Sequence, residues 1–306
     1  MALVLAAPVP YPHPMDIRSQ SEYALFRLAC AGLRPLPYRW SVRALRGAAR
    51  MAGPVCGLRR EVVLSQLKAV FPGRPDRELA DLMRQVYDHL AATAAEMLFA
   101  DPEALLGSVR ISPGWEALDQ ALSRGQGAIV AAGHIGNFEL GGRVLARRYP
   151  LLDVVKTQRN APFDRYLQKK RRQFGIGTVP VDGSGRALLT HLRAGGLVTL
   201  LMDQDAGKTG LVTDFLGRPA STWPGAARIS VRTGCPVVPM AILRNGDGSH
   251  TLHIGEALVP RGLTDAESDL RDYTGRISAG LEGHIMAHPE QWFWVHRRWK
   301  GAAEAR

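Results

Sequence analysis

The feature that most constrains the fold is a series of short apolar segments, each followed by a stretch of helix length, that begins after residue 126. Apolar runs of this kind are typical of strands buried on both faces of a sheet. Because they alternate with helical stretches, they predict an α/β fold with a mostly parallel central sheet flanked by helices. The predicted strands are 127–133, 151–155, 178–181, 197–202, 237–243 and 251–256, and the predicted helices are 136–148, 162–174, 185–194, 223–233 and 265–287.

The N-terminal third follows a helical pattern instead. Along residues 76–99, apolar side chains recur at three- and four-residue steps, which predicts a long helix with one buried face, and a shorter helix is predicted at 59–70. We therefore expect an N-terminal helical layer in front of the α/β domain. The expected regions are an extension at 1–20 that is disordered or precedes a true start at Met15, a helical membrane-associating region at 21–112, and an α/β domain at 113–306.

An amphipathic segment near the N-terminus has two interpretations. The apolar stretch 23–33 is followed by arginines at near-helical spacing, namely Arg39, Arg43, Arg46 and Arg50. A helix with an apolar face and a basic flank is typical of segments that lie in a membrane interface. The alternative is a helix that packs on the core and leaves its arginines solvated. No segment has the roughly 20 apolar residues that a membrane-spanning helix needs.

The charge balance indicates an anionic partner. Lysine and arginine number 39 against 28 acidic residues, a net charge of +11 and an isoelectric point near 10.1. Such an excess suits nucleic acid, an anionic bilayer or phosphorylated substrates, although the arginine-rich composition of a GC-rich genome also produces it.

Several classes of site are absent from the sequence. Cys30, Cys56 and Cys235 are isolated, which argues against a disulfide framework or a structural zinc site. Neither the glycine fingerprint of a dinucleotide site nor a phosphate-binding P-loop occurs, and there is no GxSxG nucleophile motif. We expect no metal and no bound cofactor.

The strongest local signal is GHIGNFEL at 133–140. A hydrophobic strand ends at Gly133, His134 stands in the turn, and Asn137 is suited to cap the next helix. The carboxyl end of a strand is where open α/β sheets bind ligands. If Glu139 folds back onto the imidazole, it holds one ring nitrogen protonated and leaves the other free to accept a proton. An HxxxxE string alone is weak, and a structural histidine is the alternative.

Polar residues also follow two other predicted strands. Arg159 comes after 151–155 and is a candidate to stabilise an oxyanion or bind a phosphate; an ordinary surface arginine is the alternative. Asp203, Gln204 and Asp205 follow 197–202 and are candidates for substrate positioning, or form a turn capped by aspartate. The tail at 289–300, PEQWFWVHRRWK, fits a stacking surface for nucleic acid, an interfacial aromatic belt or a segment docked on the core.

Taken together, these motifs resemble the late acyltransferases of lipid A biosynthesis, the lauroyl and myristoyl transferase family, within the HxxxxD/E superfamily. The resemblance rests on GHIGNFEL and on further motifs in the same order, at 71–73 with the helix ending at Glu96, 158–160 with Arg172 and Gly175 downstream, 200–210, 215–228, 233–239 and 289–300. Gln66 and Leu216 depart from the family pattern, which usually has asparagine and an aromatic residue there.

The resemblance implies a fold, a reaction and a location. It implies a monotopic, monomeric enzyme on the cytoplasmic face of the inner membrane that uses acyl carrier protein or CoA thioesters as donors and an anionic lipid as acceptor. His134 and Glu139 would be catalytic, and the substrate-binding residues would be Arg159, Asn160, Arg172, Asp203, Gln204 and Asp205. The lipid acceptor is a lipid A precursor, or alternatively a phosphoinositide mannoside, ornithine lipid or lysophospholipid. A non-catalytic basic protein that binds membranes is the remaining alternative, and nucleic acid is not expected as a partner.

Overall fold

The computed structural model describes residues 16–123 and 125–301. The first fifteen residues of the predicted extension lie outside them, and the first helix begins at Ile17, inside the segment 1–20. The N-terminal helices are α1 (Ile17–Leu33), α2 (Tyr38–Arg50), α3 (Arg60–Val70), α4 (Asp76–Phe99) and α5 (Pro102–Gly107), with a π-helical turn at Met51–Val55.

The rest of the chain alternates strands and helices as expected. In chain order the elements are β1 (Val109–Ile111), α6 (Trp115–Ser123), β2 (Ala128–Ala132), α7 (Phe138–Ala146), β3 (Leu151–Val155), α8 (Ala161–Gln173), β4 (Ile176–Pro180), α9 (Gly185–Arg193), β5 (Leu197–Leu201), β6 (Leu211–Phe215), β7 (Arg218–Thr222), α10 (Gly225–Thr233), β8 (Val237–Arg244), β9 (His250–Ile254) and α11 (Glu267–Ala287).

Within the described residues, a seven-stranded sheet has the order β1-β9-β8-β2-β5-β3-β4. Neighbouring strands are parallel except for β8 and β9. The predicted fold class, an α/β domain behind a helical N-terminal layer, is confirmed. The sheet begins with β1, inside the segment 21–112 that was expected to be helical. The β6–β7 hairpin was also not predicted; Leu216 and Gly217 form its two-residue turn, both at positive φ.

The core lies on both faces of the sheet. One face packs against α4, α10 and α11, and the other against α6 and α7. The predicted buried face of the long helix is confirmed at Leu79, Leu82 and Val86. Every residue of β2 is buried, as expected for a central strand with helices on both sides.

The C-terminal aromatic tail is docked on the core, one of the three predicted alternatives. Trp292 and Trp294 are buried. Gln66 holds the tail: its amide donates to the carbonyls of Trp294 (2.7 Å) and His296 (2.9 Å), and its oxygen accepts from the backbone N–H of Arg298 (2.8 Å). These bonds fix the tail beside the edge of the sheet where β2 ends.

The basic helix α2 packs against α4 with one face and exposes arginines on the other. Arg50 at its end forms an ion pair with Asp88. No helix among residues 16–123 and 125–301 is long and apolar enough to cross a membrane.

Candidate functional site

The register of two neighbouring strands brings His134 and Asp203 together. β2 and β5 are parallel, and their last residues, Ala132 and Leu201, are partners in the sheet. His134 and Asp203 each follow two residues after these ends, so both side chains emerge at the same point of the carboxyl edge. Ligands bind at this edge in open α/β sheets.

The carboxylate of Asp203 is the group that orients the imidazole. His134 Nδ1 lies 2.8 Å from Asp203 Oδ1, and the backbone N–H of His134 donates to Oδ2 at 2.8 Å. Trp292 Nε1 donates to the same Oδ2 at 2.7 Å. Burial raises the pKa of Asp203, but the charge and hydrogen bonds of His134 and the bond from Trp292 outweigh it, so the pKa is lowered. An ionised carboxylate holds the proton on Nδ1 and leaves Nε2 as the acceptor.

The imidazole of His134 is mostly covered by aromatic side chains. Its ring lies between Phe138 (centroids 4.9 Å apart) and Phe293 (5.6 Å), and 17% of the side chain is exposed. The side-chain amide of Gln204 is 3.3 Å from His134 Nε2. A substrate hydroxyl that binds at Nε2 of His134 would therefore also lie near the amide N–H groups of Gln204.

The expectation that Glu139 folds back onto His134 is wrong in this structure. Asn137 caps α7 as predicted, with Oδ1 accepting from the backbone N–H of Leu140 at 3.1 Å. Glu139 therefore already lies in the first helical turn, and its carboxylate forms an ion pair with Arg171 of α8. The spacing within the motif predicted that Glu139 orients His134, but the carboxylate that contacts the imidazole is that of Asp203, which follows the neighbouring strand β5.

The other predicted residues lie in four different settings. Gln204 joins Asp203 at the imidazole, whereas Asp205 anchors the tail: its N–H donates to His296 (3.0 Å) and its carboxylate accepts from the N–H of Gly301 (3.0 Å). Asn160 caps α8 and donates to the carbonyl of Ser19 in α1. Arg159 and Arg172 are exposed, and no hydrogen bond joins either to His134 within the described part of the chain.

The sequence did not reveal a buried polar network beneath the loop 133–137, which joins β2 to α7 and is called the histidine loop below. Arg244, at the end of β8, donates to both oxygens of Glu96 (2.9 and 2.7 Å), and Asn137 donates to the same carboxylate at 2.8 Å. His89 accepts from Arg244 at Nδ1 (2.7 Å), so its Nε2 N–H faces the carbonyl of Gly136, 3.3 Å away. The one sequence signal for this network was Glu96, which ends one of the motifs named above, and the sequence did not indicate its partners.

Gly136 shows how closely this loop approaches the sheet. Its φ is +60°, and a Cβ on it would lie 1.6 Å from the carbonyl oxygen of Ile242. Its N–H donates to the carbonyl of Gln291 at 2.8 Å. The backbone between His134 and α7 is therefore held by the sheet, the tail and the buried network together.

An apolar cavity of about 230 Å³ lies beside this loop, between α4, α7 and α8. Its walls include Ala94, Met97 and Leu98 from α4, and Leu167 and Phe174 from the α8 side. Glu139 also lines it and follows directly after Phe138, the residue that contacts the imidazole. Among residues 16–123 and 125–301, no group of three or more His, Cys, Asp or Glu is placed to hold a metal ion.

Curated proteins with similar sequences fall into two groups. A phosphatidylinositol mannoside acyltransferase of Mycobacterium tuberculosis is 28% identical over 62% of this chain and 60% of its own length. The chain thus spans about three fifths of that relative. The lipid A biosynthesis palmitoleoyltransferase of Escherichia coli is 24% identical over 82% of this chain and 81% of its own length. The lauroyltransferase of the same organism is 23% identical, with 88% of each chain covered.

The match to a family extends over nearly the whole described chain. Residues 18–301 match the sequence model of the bacterial lipid A biosynthesis acyltransferases. The match includes the N-terminal helices, the histidine loop and the docked tail, so it is not confined to one motif. The chain belongs to the bacterial lipid A biosynthesis acyltransferase family.

Proposed function

We propose that the protein transfers a fatty acyl group from an acyl carrier protein or CoA thioester to a hydroxyl of a membrane glycolipid. The observation that carries the proposal is the His134–Asp203 pair at the carboxyl edge of the sheet. A thioester is already activated, so the enzyme needs a base for the hydroxyl and a donor for the oxyanion, and no covalent intermediate.

The residues divide the reaction between them as follows. The acceptor hydroxyl gives its proton to Nε2 of His134 while its oxygen attacks the thioester carbonyl carbon, forming the new C–O bond. Asp203 stabilises the resulting imidazolium, and the amide of Gln204 is near enough to donate to the oxyanion. When the intermediate collapses, the C–S bond breaks and the thiolate takes the proton from Nε2. Acyl transfer is then complete and the histidine is neutral again.

The apolar cavity is the proposed place for the acyl chain. Glu139 lines the cavity and follows directly after Phe138, which contacts the imidazole, so we place the thioester end of a bound chain on the side of the cavity toward His134. Burial of a chain contributes about 0.8 kcal/mol per methylene, which gives the enzyme a means to select chain length. The end of the predicted apolar face of α4, at Ala94 and Met97, forms one wall, as a tunnel beside His134 would require.

For the acceptor, we propose a lipid A precursor, and a phosphatidylinositol mannoside as the second candidate. The lipid A enzymes align over the larger part of the chain, whereas the mannoside acyltransferases align with higher identity over a shorter part. Glu139 stays a candidate for a role in the reaction through its contact with the cavity.

We also propose that the enzyme works as a monotopic monomer on the cytoplasmic face of the inner membrane. Support comes from α1, where Ile17, Leu25 and Leu28 are 84%, 70% and 70% exposed. Large apolar side chains exposed on one helix, next to clustered cations, suit insertion into a bilayer interface. A purely non-catalytic role does not explain why His134 pairs with an ionised carboxylate at the carboxyl edge of the sheet, where ligands bind in this class of fold.

Mass spectrometry of membrane lipids tests the proposal. A deletion strain should lack a lipid species, or carry one lighter by a single acyl chain, and the wild-type gene should restore it. His134→Ala should fail to restore the species, whereas His288→Ala, which removes an exposed histidine, should succeed. Restoration by a folded His134→Ala protein would refute the mechanism, and an unchanged lipid profile in the deletion strain would refute the reaction.

A further inference from the structure

A second cavity, of about 860 Å³, lies between the C-terminal half of α1 and helix α8, and we call it the α1–α8 groove. Five cations line it: Arg27, Arg34, Arg165, Lys169 and Lys170. None of the described residues that line it is an aspartate or glutamate. The groove is therefore a strongly positive surface depression, formed by two helices that are far apart in the sequence.

The cations of the groove repel one another at short range. The pKa of Lys170 is lowered by partial burial and then by the charges of Arg143, Arg34 and Lys169. Crowded like charges raise the free energy of the folded protein, and an anion bound among them would remove this cost. Phosphate is an anion that clustered lysine and arginine side chains commonly bind.

The walls of the groove are fixed by aromatic packing. Phe26 of α1 contacts Phe163 and Tyr166 of α8, with ring centroids 5.2 and 5.6 Å apart. This cluster holds α1 against α8, so the cations of the two helices face a common depression. Phe26 and Tyr166 also line the apolar cavity beside the histidine loop, so the groove and the cavity adjoin.

The same helix exposes apolar side chains to the surroundings. Leu25 and Leu28 of α1 are each 70% exposed and lie next to Phe26 and Arg27 in the sequence. A cationic, anion-binding site flanked by exposed leucines fits a bilayer surface, where phosphates and acyl chains occur together. A soluble phosphate ester would leave these leucines in water. The apolar residues therefore favour the lipid as the source of the phosphate.

We propose that the α1–α8 groove binds the headgroup phosphate of an anionic phospholipid in the bilayer, while Leu25 and Leu28 insert beside it. This contact would place the adjoining apolar cavity against the membrane. The exposed arginines of α2 are the other candidates for the electrostatic contact, and of these Arg50 is paired with Asp88. The inference does not depend on the reaction proposed for His134.

Binding of short-chain lipids to the purified full-length protein tests this site. Dihexanoyl phosphatidylglycerol and dihexanoyl phosphatidylcholine, both below their micelle concentrations, are titrated and their dissociation constants compared. Phosphatidylglycerol should bind measurably more tightly. The double variant Arg34→Gln/Lys169→Gln should bind it about 30-fold more weakly, from about 1 kcal/mol per cation.

A matched variant separates a built site from diffuse attraction. Arg39→Gln/Arg46→Gln removes the same charge from exposed positions on α2, and it should change the affinity less than about threefold. Thermal unfolding establishes that both proteins are folded, and His134→Ala should bind as the wild type does. Equal affinity for the two lipids, equal loss in both double variants, or competitive displacement by CoA would each overturn the proposal.

Discussion

Replacing Asp203 by asparagine should remove most of the activity by changing the tautomer of His134. Asp203 Oδ2 accepts two hydrogen bonds, from the His134 backbone N–H and from Trp292 Nε1. An amide nitrogen at that position would face two donors, and each bond left unmade costs about 1–3 kcal/mol. The amide oxygen must therefore occupy the Oδ2 position, and the NH2 group must face Nδ1 of His134.

The consequence for the base follows from this orientation. The NH2 group donates to Nδ1, so the imidazole proton moves to Nε2, and Nε2 no longer accepts a proton from the acceptor hydroxyl. Positioned acid–base catalysis contributes about 10²–10⁴ in rate, and the equivalent exchange in a Ser-His-Asp triad costs about 10⁴. We expect kcat to fall by about 10³ or more, with KM changing little because no substrate contact is lost.

The assay is acyl transfer by the purified protein, followed by release of the thiol from the donor and by mass spectrometry of the lipid product. The matched variant is Glu139→Gln, which removes the charge that pairs with Arg171 but leaves the hydrogen bonds of Asp203 intact. It should keep kcat within about tenfold and lower thermal stability instead. If Glu139→Gln were inactive while Asp203→Asn kept near-normal turnover, the assignment of the orienting carboxylate would be wrong.

Three further predictions concern the buried network, acid stability and the acyl chain. Glu96→Gln and Asn137→Asp should each reduce kcat. The double variant should recover part of the lost kcat, because the glutamine amide introduced at position 96 can donate to the aspartate carboxylate introduced at position 137, which still caps α7. The kinetics of the three variant proteins show whether the two effects couple. Burial lowers the pKa of His89 to about 3, so at acidic pH the unfolded chain binds a proton that the native state does not. As the pH is lowered from about 6 to 3, the free energy of unfolding should fall by about 1.4 kcal/mol per pH unit because of this histidine. Denaturant titration measures this loss, which should be smaller in His89→Gln. Rates with thioesters of eight to eighteen carbons should peak at one length and decline gradually on either side, and a flat profile would argue against the cavity as the chain site.

Local patterns predicted much of the fold because they depend on neighbouring residues. The alternation of apolar runs and helices identified the central strands, and the strand end before His134 placed the histidine at a ligand-binding edge. Asn137 was identified as a helix cap because its contact, Leu140 N–H, lies three residues away. Each of these interactions is set by backbone geometry within a few residues, so periodicity and spacing are sufficient to reveal them.

The partner of His134 was not accessible in this way, because it depends on which strands lie side by side. In the chain, β3 and β4 follow β2, but in the sheet β2 lies between β5 and β8. Apolar runs do not encode strand order, so the sequence indicated the nearest carboxylate, Glu139, as the partner of His134 and predicted Asp203 only for substrate positioning or a turn. The same limitation hid Trp292 and the network of Glu96 and Arg244. Local sequence therefore determines which chemical groups lie at the ends of the strands. Which of these groups contact one another depends on the packing of the strands and of the C-terminal tail, which buries them together.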